Sequence, residues 1–222
     1  MRTGEKGAAQ RLGRYRTRRD QGIARPERAD GKIHSREAGA MSTARARLVE
    51  TATRLFYAEG IHTVGIDRII AEADVAKATF YHHFTSKDDL AVAYLTDEFE
   101  RQRDAFEGVA GTGAERLRAT FTLLCDVSCS PGFRGCAFLN ATADFTDPTH
   151  PVRAVVAEYR DFLRDHMRTL LTEADHADPD HTADYLLVIR DGMAVSGALG
   201  DTAAVRAGAE FAVAVVKMVA EA

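Results

Sequence analysis

Residues 64–84 constrain the fold of this chain more than any other stretch. They read Val64-Gly-Ile-Asp-Arg-Ile-Ile-Ala-Glu-Ala-Asp-Val-Ala-Lys-Ala-Thr-Phe-Tyr-His-His-Phe84. Ile66, Ile69 and Ile70 mark the inward face of a helix from about Ile66 to Ala73, and a second helix runs from about Lys77 to His83. Only Ala73, Asp74 and Val75 turn the chain between them. Such a turn needs one residue at positive φ, which glycine supplies best and aspartate tolerates. Asp74 fills that place at some cost. Val75 plugs the angle between the two helices, and Phe80 and Phe84 pack the second helix onto its neighbours.

The flanking sequence is also helical in period. Leu48, Ala52, Leu55 and Phe56 form an apolar stripe, with Ser42 or Thr43 as the expected N-cap and Gly60 as the stop. Ser86 caps a long helix from Lys87 to about Phe106, whose first turn carries Asp88 and Asp89 where the helix dipole favours them. Gly108, Gly111 and Gly113 end it. Further helices are expected over Ala114–Ser128, Cys136–Phe145, Val152–Ala174, Asp180–Leu199 and Asp201–Ala220, the last two with an aspartate at the N-cap. Pro131-Gly132, Asp147-Pro148 and His150-Pro151 break the chain between them. No segment has strand period. The expected fold is all-α, with about nine helices. Residues 42–92 form an N-terminal three-helix helix-turn-helix domain, and residues 93–222 a C-terminal helical domain.

Charge divides the chain. Residues 1–47 hold 13 Lys and Arg against 5 Asp and Glu, while the whole chain carries a formal charge of −4. Residues 1–41 are polar and lack a sustained period, so they read as a disordered basic extension. The extension either adds phosphate contacts or is dispensable, with Met41 as an alternative start. It lacks the apolar core of a secretory signal, and no apolar run approaches a membrane span, so a cytoplasmic location is expected. Cys125, Cys129 and Cys136 are odd in number, which argues against a disulfide framework.

The outer side of the second short helix presents Lys77, Ala78, Thr79, Tyr81 and His82. A recognition helix enters the major groove by its N-terminal end. Lys77 suits phosphate or a guanine edge, and Ala78 lets the backbone approach closely. Thr79 reaches phosphate or a thymine methyl, and Tyr81 and His82 suit phosphate. Lys87 can clamp the same strand, and Gly65 and Arg68, at the start of the preceding helix, complete the candidate DNA-binding set. On periodicity alone, an ordinary helix pair with a solvated polar face is an equal reading.

The whole string resembles the DNA-binding domain of the tetracycline-repressor (TetR) family of bacterial regulators. Ile69, Ala73, Val75, Ala76, Thr79, Phe80, Tyr81, His83, Phe84, Lys87 and Leu90 stand in matching places over residues 44–92. Three positions depart from the family pattern. Asp74 replaces the usual Gly, Ala76 replaces a capping Ser or Thr, and Val64-Gly65 replaces a Thr-rich pair.

The resemblance implies a homodimeric repressor on a palindromic double-stranded DNA operator, released when a small-molecule effector binds the C-terminal domain. A same-fold activator or a regulator controlled by a protein partner is the alternative, with a thiol redox sensor through Cys125, Cys129 and Cys136 beside it. Apolar residues on the last two helices, Leu186, Leu187, Ile189, Met193, Val195 and Leu199 with Phe211, Val213, Val215, Val216 and Val219, supply a dimer surface over 181–220. Small residues at Ala194, Ser196, Gly197, Ala198 and Gly200 permit close approach. Candidate ligand-binding residues are Phe121, Cys125, Phe138, Asn140, Tyr159 and Phe162, with Leu124, Phe145 and Met167 beside them. Asn140 stands out because a buried amide needs partners. No phosphate loop, nucleophile elbow or metalloprotease motif is visible, and the histidines make no metal pattern. No enzyme activity, cofactor or metal is therefore expected.

Overall fold

The computed structural model describes residues 32–218, and among them the chain is helical with no strand. The helices are α1 (Lys32–Glu59), α2 (Ile66–Glu72), α3 (Lys77–His83), α4 (Lys87–Glu107), α5 (Gly113–Ser128), α6 (Ala137–Asp144), α7 (Pro151–Glu173), α8 (Pro179–Ala198) and α9 (Thr202–Met218). The first three form a head. The other six form a body in which α7 touches α4, α5, α6 and α8, while α9 packs on α8 and α5. No helix among the described residues is long and apolar enough to cross a membrane.

Among the described residues the expected boundaries hold within a residue or two except at the start of α1, and one expected cap is shifted. Helix α1 begins at Lys32, ten residues before the expected cap at Ser42. Residues 32–41 are therefore helical rather than part of a disordered extension. They contain no proline, and their Lys, Arg, Glu, Ala and Met favour helix, so nothing stops the helix from growing backward. The first 31 residues, including most of the basic extension, lie outside the described residues. The N-cap of α8 is Asp178, which accepts the His181 N–H at 3.2 Å, with Pro179 in the first turn. Asp180 lies inside the helix because proline is favoured at its first position.

Other caps follow sequence logic. Ser86 Oγ accepts the Asp89 N–H at 3.0 Å. Thr112 and Glu115 form a reciprocal capping box at the start of α5, and Asp201 accepts the Ala204 N–H at 3.0 Å near the start of α9. The turn between α2 and α3 places Asp74 at φ 51°, the left-handed region.

Two apolar clusters hold the molecule. The first runs unbroken from the head (Leu48, Leu55, Ile69, Phe80) through Leu90 and Leu95 into the body at Phe138, Tyr159 and Leu163. The second joins α5, α7, α8 and α9 through Leu117, Phe121, Met167, Leu170, Leu186 and Val205. Burying each such side chain contributes about 1.5–3 kcal/mol.

Helix α8 meets the end of α5 backbone to backbone. A Cβ on Gly197 would lie 2.5 Å from the Ser128 carbonyl oxygen. Gly197→Ala is expected to destabilise the fold by roughly 1–3 kcal/mol through overpacking, read as a lower urea midpoint with unchanged slope. At the head turn, Asp74→Gly should hold or raise the melting temperature. Asp74→Val should cost about 1–2 kcal/mol, because a branched residue is poorly tolerated at positive φ.

Candidate nucleic-acid interface

Helices α2 and α3 have seven residues each, too short to persist alone in water. They are held from inside by Ile69, Ile70 and Phe80, all buried. Phe80 packs against Phe84 and Tyr81, with ring centroids 5.9 and 5.2 Å away. That packing turns the other side of α3 outward: Lys77, Ala78, Tyr81 and His82 are exposed and Thr79 is half-buried. Neither Gly65 nor Ala76 gives its helix a side-chain cap. The first N–H groups of α2 and α3 thus remain available to an external acceptor.

The head is not basic. Arg45, Arg47, Arg54, Arg68, Lys77 and Lys87 face seven acids over residues 42–92, and each cation has a partner within the chain. Arg68 forks onto both oxygens of Glu59 at 2.6 and 2.8 Å and reaches Glu72 at 2.8 Å. These hydrogen bonds, first to Glu59 and then to Glu72, raise its pKa further. Glu72 also accepts from Arg54, so Arg68 and Arg54 staple α2 onto α1. Lys77 pairs with Asp67 at 2.9 Å, which raises its pKa. Lys87 donates to the carbonyls of His62 and Val64 at 3.2 and 3.3 Å, closing the loop before α2. Arg45 stacks over Phe84 at 5.4 Å and Arg47 lies 3.8 Å from Asp74. Among the predicted contacts, then, Tyr81, His82 and Ala78 lie open, whereas Arg68 and Lys87 first serve the head itself.

The head is fastened to the body through α6. Asp144, its last residue, accepts the Ile61 N–H at 3.3 Å, and its carbonyl lies 2.8 Å from His62 Nε2. Phe145 lies between the rings of His62 and His150, at 4.9 and 4.4 Å. His150 reaches Asp88 in the first turn of α4 at 3.2 Å. Tyr57 donates to the Gly135 carbonyl at 3.1 Å and accepts the Arg134 N–H at 2.9 Å. Beside these contacts lies a cleft of about 300 Å³ bordered by Tyr57, Tyr94, Arg134, Ala137 and Asn140.

The ligand candidates in the body do not gather in one place. Phe121 is fully buried in the second cluster, and Cys125 borders it with Cys129. Burial, and then the neighbouring Cys129, push the Cys125 thiol up to about 11. Cys136 belongs to the first cluster, so the three thiols form no common site. Phe138 stacks on Tyr159 at 3.7 Å, and Phe162 packs against Phe99 at 5.4 Å. Asn140 is exposed, not buried, and donates to the Arg134 carbonyl at 3.0 Å. It ties down the loop before α6, because its own short helix turns this position away from the core.

Sequence reasoning missed the polar chain at the centre of the body. Tyr159 donates to Gln102, whose amide donates to Glu98 at 2.6 Å. Arg190 donates to Tyr159 Oη at 2.8 Å and to Cys136 Sγ at 3.0 Å. Burial raises the pKa of Glu98, with Arg101 and Gln102 opposing that shift. Burial also works against the charge of Arg190, but Tyr159, Cys136 and Asp191 more than offset it and raise its pKa. The available signal was an arginine between Leu186-Leu187 and Met193 on an inward helix face.

Known proteins agree with this architecture. Residues 48–94 match the profile described as bacterial regulatory proteins, tetR family, and residues 113–209 match the tetracyclin repressor-like C-terminal domain. The crystal structure of SCO4454, a TetR-family transcriptional regulator from Streptomyces coelicolor, is 43% identical. The match covers 80% of this chain and 96% of that one, with a TM-score of 0.74. The regulator LmrA of Bacillus subtilis is 29% identical over 120 residues, or 51% of this chain. The repressor NemR of Escherichia coli is 25% identical over 117 residues, or 50% of this chain. The matched segments span 63% and 59% of those two relatives' own lengths. The chain therefore belongs to the TetR family of bacterial transcriptional regulators.

Proposed function

We propose that this protein is a homodimeric repressor that binds a palindromic DNA operator through its helix-turn-helix and leaves it when a small-molecule effector binds the body. The observation that carries the reading is the outward face of α3, where exposed Tyr81, His82, Ala78 and Lys77 stand on a helix pinned from behind by Phe80. NemR is named a transcriptional repressor, which favours the same sign of regulation here.

DNA contacts are assigned by availability. Tyr81 and His82 reach phosphate directly. Thr79 and Ala78 approach base edges, and Gly65 with the free N–H groups of α2 faces a phosphate. Lys77 exchanges Asp67 for phosphate. Lys87 keeps its two carbonyls and offers the remaining N–H, and Arg68 acts chiefly by fixing α2. The basic residues 1–41 add charge that the head lacks. Selection from a random DNA pool, followed by gel shift, tests the reading. An inverted repeat bound by a dimer supports it, and failure to enrich any sequence overturns it. Tyr81→Ala should weaken binding about evenly across operator variants and leave the salt slope nearly unchanged, because a neutral hydroxyl releases no counterion. Loss confined to one base position would instead make Tyr81 a base reader.

The dimer surface is a stripe on α8. Tyr185, Val188, Gly192, Val195 and Leu199 are all exposed at alternating spacings of three and four, the period of a helix–helix seam. Phe211 on α9 is exposed beside Ala207 and Ala214. Leu186, Leu187 and Met193, expected on this surface, are buried in the protomer's own core. Gly197 serves contact with α5 rather than with a partner. A pair of such stripes makes a four-helix interface. Val195→Glu should yield monomers by light scattering with unchanged helicity, and operator affinity should fall by at least tenfold. A Val195→Glu variant that stays dimeric would place the interface elsewhere.

A further inference from the structure

We propose that Arg190 anchors a site for a small organic carboxylate with a compact apolar body, reached through the cleft between α1 and α6. The proposal rests on the effector reading above and names the ligand class.

Arg190 is 5% exposed, in the middle of α8. Its Nη1 donates to Asp191 at 3.0 Å, and its Nη2 to Tyr159 Oη and Cys136 Sγ. Its Nε is buried with no hydrogen-bond partner. Buried N–H groups are seldom left so, because an unmade bond keeps the full desolvation cost. The other partners are poor ones for a guanidinium. A thiol sulfur is a weak acceptor. Asp191 also takes Arg160 Nη1 at 2.7 Å, so one carboxylate serves two cations.

Nε and Nη2 form the edge of a guanidinium that a carboxylate grips with two parallel hydrogen bonds. A carboxylate there gives Nε its acceptor, replaces the weak sulfur and supplies the missing negative charge. A neutral acceptor can satisfy Nε but supplies no charge and no matched pair of oxygens, and a cationic ligand does neither. The groups around Arg190 are apolar rings packed on one another, Phe138 stacked on Tyr159 and Phe99 edge-on to it at 5.7 Å, so an apolar ligand body enters by displacing them. Apart from Asp191, the acid of the central polar chain does not serve Arg190, since Glu98 is held by Arg101 at 2.6 Å and by Gln102. The cleft of about 300 Å³ borders Ala137, the neighbour of Cys136, and Tyr94, one helical turn before Glu98.

The site also has a route to the head. Cys136 is the N-cap residue of α6, and α6 ends at Asp144, which holds Ile61 and His62. A carboxylate that takes Nη2 from Cys136 frees one end of an eight-residue helix whose other end carries the head.

The test measures binding without DNA, by calorimetry and thermal shift, on the full chain. The probes are phenylacetate and hexanoate, each beside its primary amide. The carboxylates should bind and raise the melting temperature, and the amides should not. Arg190→Lys keeps the charge but loses the two-pronged edge, and should weaken carboxylate binding by at least about tenfold. Cys136→Ala removes the competing acceptor and should tighten it by about three- to tenfold, which a merely structural cysteine would not do. Equal binding of acid and amide, no binding of either carboxylate, or an unchanged affinity in Cys136→Ala overturns the proposal. If Arg190→Lys does not fold, Cys136→Ala decides alone. Release of selected DNA is scored separately. Carboxylate binding without release leaves the site standing and removes the effector reading. Release by a non-carboxylate with equal potency on Arg190→Lys does the reverse.

Discussion

The head exists because α1 and α4 give two seven-residue helices an apolar floor. Phe80, Ile69, Leu48, Leu55 and Leu90 are each at most 1% exposed, and without them neither α2 nor α3 has enough hydrogen bonds to offset its ordering entropy. The same floor continues into the body at Tyr94 and Phe138 without a polar break. Head and body therefore share one core instead of being joined by a linker. A rearrangement in the body has no slack to be lost in before it reaches α3, because packed interiors switch between discrete arrangements rather than bending gradually.

Surface charge in the head is spent on geometry before it is available to a partner. Arg68 and Arg54 meet on Glu72, and Arg68 also forks onto Glu59. This triangle fixes the roll of α2 against α1, and with it the direction in which α3 faces. Lys87 does similar work at the loop before α2. Such pairs lie at the surface and are weakened by salt, so they orient more than they stabilise. A head balanced near neutrality also has little long-range pull on nucleic acid. That division of labour leaves α3 and its exposed face to be set by shape and local chemistry rather than by the head's net charge.

Local features were legible in the sequence and long-range ones were not. The turn at Asp74, the cap at Ser86 and the limits of α3 follow from short-range chemistry, and the structure places them as read. The start of α1 was missed because a capping serine at 42 signals a helix start only if the chain before it resists helix, and Lys32–Met41 does not. Asn140 was misplaced because an amide amid apolar neighbours on a short helix gives no sign of which side faces out. Arg190 was visible as a cation on an apolar face. Its partners come from α4, α6 and α7, however, more than thirty residues away in each case, and no periodicity reports contacts of that kind. The ligand candidates are apolar positions on central helices with a few polar ones among them, a criterion that selects core positions in general. Phe121 and Phe138 satisfy it by being packed.

Helix α6 is the element on which sequence and structure disagree most usefully. It has eight residues, no side-chain cap at Cys136, and few hydrogen bonds of its own to lose. Its stability is borrowed from both ends: Arg190 holds the sulfur of Cys136, and the Ile61 amide and His62 hold Asp144. A short helix fixed at two ends by polar contacts and only partly buried between them can shift as a unit for little free energy, whereas α4 and α7, with twenty or more residues and long apolar faces, cannot. Helix α6 is thus a short strut between a buried arginine and the head. Because Phe138 and Ala141 of α6 belong to the core that head and body share, a shift of this strut moves that core with it and so carries a change in the body interior toward the head.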